Sequence, residues 1–159
     1  MRRGFYNRKK VYEYAKKWAL SSNPKYYNYQ FIGGDCTNFV SQCIFAGCNE
    51  MNYSRANGWY YINANEKSPS WTGVEFLYDF LVNNQSAGPY GEVREINKLK
   101  IGDVIQLSFD GINYTHSLLV IQNGTGTTDT LIATHTQNAF GKKVYEYTYS
   151  KYRCIHVDY

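Results

Sequence analysis

The sequence runs to 159 residues, with 43% hydrophobic and 19% charged residues, which is enough to bury a core and excludes a disordered chain. The net charge is only +4, and no basic stripe interleaved with aromatics follows the N-terminal Arg and Lys cluster, which excludes a nucleic-acid partner from the expectation. The opening MRRGFYNRKK has no apolar h-region and nowhere do about eighteen apolar residues run together, so neither a signal peptide nor a membrane span is expected; a cell-wall, extracellular or cytoplasmic location stays open.

The cluster of Arg2, Arg3, Arg8, Lys9, Lys10, Lys16 and Lys17 is expected on the solvated side of a first helix. Asn7 suits its N-cap, and Val11, Ala15, Trp18 and Ala19 form one apolar face as far as about Leu20. Ser21, Ser22, Asn23 and Pro24 end it, and an aromatic stretch from Lys25 leads to Gly33 and Gly34. Asp35 suits the N-cap of a second helix from Cys36 to Ala46, closed by Gly47. Thr72 and Glu75 have capping-box spacing for a third helix ending near Asn83. From about residue 100 the pattern changes to strands at Asp103–Phe109, His116–Gln122, Leu131–His135 and Lys143–Tyr149, with Cys154–Tyr159 as one more. Turn signals (AspGly, AsnGlyThrGly, PheGly) separate them. N-terminal helices packed on a C-terminal antiparallel β-sheet make an α+β fold, expected as a single domain over 1–159. The 17 tyrosines suit broad hydrogen-bonding clefts, although a biased genome gives the same count.

Four cysteines, at 36, 43, 48 and 154, lack the spacing of a disulfide-stapled mini-domain and are expected to be free thiols. With Asp35 as cap, Cys36 sits in the first helical turn, where free N–H groups favour an anion. That terminus supplies roughly 0.3–2 kcal/mol. Bringing a thiol from about 8.5 to about 4 takes on the order of 6 kcal/mol, so a reactive Cys36 requires a histidine partner. Three histidines are available. His156 reads as a packing or surface residue, whereas His116 starts one strand and His135 ends the next. A hairpin across Asn123–Thr128 in the register that sets His116 opposite His135, Leu118 opposite Ala133 and Val120 opposite Leu131 brings both imidazoles to one face. Leu118 and Val120 would then pack on Phe39, Val40 and Cys43. A one-residue slip would turn His135 away and favour Asn138 as the third member. Against this, a buried cysteine is usually a small hydrophobe and a lone histidine is usually structural. Zinc is not expected, because Cys36, Cys43 and Cys48 form no CxxC pair; no cofactor is expected either.

The strings GGDCTNFVSQC, THSLLV and ATHTQN, with KIGDV before the His116 strand and Trp59 and Trp71 between, resemble the putative amidase domain family. That family is similar to the NlpC-like and CHAP-like papain-fold hydrolases, many of which cut peptide amides in bacterial cell walls. The resemblance implies a papain-like fold with Cys36 as nucleophile, His116 as general base and His135 as the polar third member. Tyr29, upstream of the glycine pair, is similar to a tyrosine that assists the oxyanion site in some relatives, though its spacing to the cysteine is shorter; Asp35 and Asn138 complete the candidate substrate and oxyanion set. The implied activity is cysteine-dependent amide hydrolysis through an acyl-enzyme, with a peptide or peptidoglycan as partner and the protein as monomer. The alternative is a non-catalytic glycan- or peptide-binding module on the same fold.

Overall fold

A computed structural model describes residues 4–159, so Arg2 and Arg3 of the basic cluster lie outside the described residues. Helix α1 spans Arg8–Trp18, and Asn7 caps it by accepting from the Lys10 N–H at 3.1 Å. Val11 and Ala15 are buried, while Lys9, Lys10, Lys16 and Lys17 face outward. Arg8 departs from the solvated face. Its guanidinium donates to the Ile101 and Val157 carbonyls and to Asp103 Oδ1.

Helix α2 spans Cys36–Cys48 and runs through Gly47, ending at Asn49 in the left-handed region (φ 52°). Gly47 is a packing residue here, not a cap. A Cβ at that position would meet Val11 at 2.5 Å and Tyr6 at 2.7 Å, so the glycine lets α1 and α2 approach. Helices α3 (Pro69–Thr72) and α4 (Val74–Asn83) follow. The expected Thr72–Glu75 capping box does not form. Gly73 is extended between the helices, and Glu75 pairs instead with Arg153 on the sheet.

A small hairpin, β1 (Tyr61–Asn63) and β2 (Glu66–Lys67), precedes α3. The remaining strands are β3 (Tyr90–Val93), β4 (Val104–Ser108), β5 (His116–Gln122), β6 (Leu131–Thr134), β7 (Ala139–Lys143) and β8 (Lys151–Asp158). They form one antiparallel sheet in the order β3-β8-β4-β5-β6-β7. The chain is therefore α+β with antiparallel sheets. The strand expected over Lys143–Tyr149 is displaced. Lys143 closes β7, and Val144–Glu146 form a 3₁₀ turn in which the Lys143 N–H is held by Glu146 Oε2 at 2.8 Å.

Both faces of the sheet are covered. Phe39, Val40, Cys43 and Ile44 of α2 share one core with Val104, Leu119, Ile121, Ala133 and Ile155. The opposite face buries Ile105, Leu107, Leu118, Val120, Ile132, Val144 and Cys154. Leu119 and Ile121 thus face α2, not Leu118 and Val120 as the expected register required. Leu119 lies opposite Ala133 and Val120 opposite Ile132, a slip of one residue, and a bulge follows before Gln122 meets Leu131. Because side chains alternate with period two, the slip exchanges the faces of the β5 residues, while Ala133 and Ile132 of β6 keep the faces the expected register gave them.

Candidate active site

The approach to Cys36 is built by a tight loop. The Tyr29 carbonyl accepts from the Ile32 N–H at 2.9 Å and the Gly34 N–H at 3.1 Å. Gly33 (φ 84°) and Gly34 (φ 99°) take the left-handed values this turn needs, which glycine adopts without a Cβ penalty. The Asp35 N–H then donates to Thr136 Oγ1 at 2.7 Å, tying the loop to the β6–β7 turn. Asp35 occupies the N-cap position, but its side chain makes no capping bond to α2. Its carboxylate accepts from the Tyr29 N–H at 2.8 Å and from Asn38 Nδ2 at 2.9 Å, and faces His135 Nδ1 at 2.5 Å.

Cys36 opens α2 with 7% of its surface exposed. The thiol lies 3.8 Å from Thr37 Oγ1, close to the start of β5. Thr37 and Ser117 hydroxyls bond each other at 2.9 Å, fixing the first turn of α2 on the strand. Burial pushes the thiol pKa up, and the Ser117 and Thr37 hydrogen bonds pull it partly back.

His116, the residue before Ser117, starts β5 and is 8% exposed. Its ring lies 5.5 Å from Tyr147 and 6.4 Å from Phe109, and it has no hydrogen-bond partner among the described residues. Burial pulls its pKa down to about 4, with the Lys142 charge adding to the effect. Both burial effects favour the neutral forms, so the resting pair is thiol and imidazole rather than the thiolate and imidazolium that the sequence argument required. No Cys36–His116 hydrogen bond joins them among the described residues; the thiol's neighbour is the Thr37 hydroxyl.

His135 does not hold His116. Its Nδ1 faces Asp35 Oδ2 at 2.5 Å and its Nε2 donates to the Trp18 carbonyl at 2.8 Å, so both ring nitrogens are occupied. Its ring stacks on Phe39 with centroids 4.2 Å apart. His135 keeps the α2 side of the sheet, behind the residue that precedes the cysteine, whereas the one-residue slip turns His116 away from it, to the side of Leu107 and Tyr147. The Tyr29 hydroxyl donates to the Ala64 carbonyl at 2.9 Å, which engages the proton expected to serve an oxyanion. Asn138 is exposed in the turn between β6 and β7. His156 is buried, with Nδ1 at 2.9 Å from Asp103 Oδ2. All four cysteines are free, and among the described residues no three His, Cys, Asp or Glu side chains are grouped to hold a metal.

Several residues around the thiol carried little signal in the sequence. Thr37 and Asn38 stand inside the AspCysThrAsn string, and Asn38 accepts from Trp71 Nε1 at 2.9 Å while donating to Asp35 and to the Tyr27 carbonyl. Helical i, i+3 spacing from Asp35 to Asn38 was available to find that contact. Nothing in the sequence marked Ser117 or Tyr147, whose roles depend on the slipped register and the 3₁₀ turn.

The chain matches the family profile described as "Putative amidase domain" over residues 5–157, and it belongs to that family. It is also 32% identical to the Bacillus subtilis (strain 168) "Uncharacterized protein YhbB" over 124 residues, covering 76% of this chain. The chain spans 39% of that relative's length. No solved structure matches it.

Proposed function

We propose that the protein hydrolyses amide bonds through Cys36, with His116 as the proton acceptor and donor. One observation carries this reading: the thiol sits in the first turn of α2, which the Thr37 hydroxyl ties to the Ser117 hydroxyl at 2.9 Å, one residue from His116. Since both groups rest neutral, His116 takes the thiol proton as sulfur attacks the carbonyl carbon, without a preformed ion pair. The C–N bond then breaks, and imidazolium His116 gives that proton to the departing amine. His116 next removes a proton from water, which attacks the thioester and releases the acid and the free thiol. Backbone N–H groups in the first turn of α2 face the region where the oxyanion develops. His135 enters as a positioning residue, because it fixes Asp35 and, through it, the start of α2.

The substrate class in this proposal is the bacterial cell-wall peptide, on the resemblance to hydrolases that cut such amides, and the working unit is a monomer of one domain. Digestion of purified peptidoglycan, with new amine and carboxyl termini identified by mass spectrometry, tests it. The wild-type protein should release new termini, and Cys36→Ala and His116→Ala should release none. Equal release by Cys36→Ala would remove the cysteine from the chemistry. Binding without release by the wild type would leave a glycan- or peptide-binding module.

A further inference from the structure

Resting on the Cys36–His116 reading, we infer that Tyr147 is a further catalytic residue, whose hydroxyl donates a hydrogen bond to the substrate carbonyl oxygen as it becomes the oxyanion. The phenol hydroxyl is buried and has no hydrogen-bond partner among the described residues. A buried donor left unpaired costs about 1–3 kcal/mol, so its retention calls for a partner that arrives with the substrate. The ring packs 5.5 Å from the His116 ring, so the tyrosine adjoins that side chain, and a charge on Cys36 reaches the phenol electrostatically.

The position is held from several directions. The Tyr147 N–H donates to the Val144 carbonyl at 3.1 Å, and Val144 is fully buried. Tyr145 donates its N–H to the Thr127 carbonyl at 3.0 Å, and Lys142 Nζ lies 3.9 Å from the Tyr147 ring centroid. This rigidity suits a donor that must be placed before the reaction starts.

The chemistry selects the carbonyl oxygen over the leaving nitrogen. When the thiol sulfur bonds the carbonyl carbon, the C=O π pair moves onto oxygen, which then needs donors. The nitrogen needs a full proton, which His116 carries from the thiol. Tyr147 keeps its own proton throughout: burial, followed by the charges of Glu146 and Cys36, pushes its pKa up to about 12.

Tyr147→Phe tests this with two reactions of the same thiol. Amide cleavage passes through an oxyanion; alkylation of Cys36 by iodoacetamide displaces iodide at a saturated carbon and forms none. The variant should lose about 10²–10³-fold in kcat with KM little changed, the size expected for one oxyanion donor. Its alkylation rate should match the wild type and its melting temperature should be no lower, since removing the unpaired hydroxyl relieves its burial cost. A kcat equal to wild type would overturn the inference, as would a parallel fall in alkylation, which would mean that the ring only positions Cys36. If the wild type itself shows no Cys36-dependent amide cleavage, the underlying reading fails and the inference with it, and that outcome is separable because it precedes the variant.

Discussion

Replacing His116 by Asn should flatten the acid limb of the stability curve, and by a calculable amount. The imidazole is 8% exposed, and burial lowers its pKa from 6.5 to about 4. Above pH 6.5 the side chain is neutral in both folded and unfolded chains and contributes no pH dependence. As pH falls below 6.5 the unfolded chain takes up a proton that the folded protein refuses, so stability is lost progressively until about pH 4. Integrated over that window the loss is about 3 kcal/mol, of which about 2.5 kcal/mol is gone by pH 4.5. Urea unfolding of wild type and His116→Asn at intervals from pH 7.5 to 4.5 isolates the effect, since the other carboxylates and histidines titrate in both proteins. The variant should gain on the wild type by that amount on acidification. Parallel curves would refute a buried neutral imidazole. A gap that opens above pH 6.5 instead would indicate an imidazolium stabilised by the thiolate.

Gly34→Ala should lower both melting temperature and amide-cleaving activity, because φ 99° costs a non-glycine residue about 1–2 kcal/mol and the new Cβ would lie 3.3 Å from the Thr136 Oγ1 that holds Asp35. Wild-type behaviour in both assays would show that the loop does not set the cysteine. Asp103 is fully buried and holds Arg8, His156 and the N–H groups of Lys100 and Val157. Asp103→Asn should therefore cost about 3–5 kcal/mol in urea unfolding, whereas a loss below about 1 kcal/mol would contradict a structural role for this carboxylate. Chelators should leave activity and melting temperature unchanged, and stoichiometric zinc in purified protein would overturn the metal-free mechanism.

The sequence made α1 legible through its Asn7 cap and the strand His116–Gln122 through its β-branched run. Asn7 caps α1 and Cys36 opens α2 as the local chemistry requires. The register of β5 against β6 was not legible, because His116–Ile121 is buried on both faces and alternation then carries no phase information. That single ambiguity separated the two histidines: the one-residue slip turns His116 to the other face, and His135 meets Asp35 instead. The segment after Lys143 was misread for a related reason. Its Val and Tyr residues suit a strand, but Glu146 bonds the Lys143 N–H and tightens the backbone into the turn that presents Tyr147. Strand β3 escaped notice because Tyr90–Val93 is short and contains a glycine, and pairing with β8 defines it. Helix α4 starts at Val74, with Gly73 rather than Thr72 as its N-cap, because Gly73 is extended and separates it from α3.

The most direct test of Cys36 as nucleophile follows amide-cleaving activity and thiol modification together during iodoacetamide treatment, with each labelled cysteine located by peptide mass mapping. Activity should fall in step with modification of Cys36 and not with modification of Cys43, Cys48 or Cys154. Full modification of Cys36 with activity retained would contradict the account.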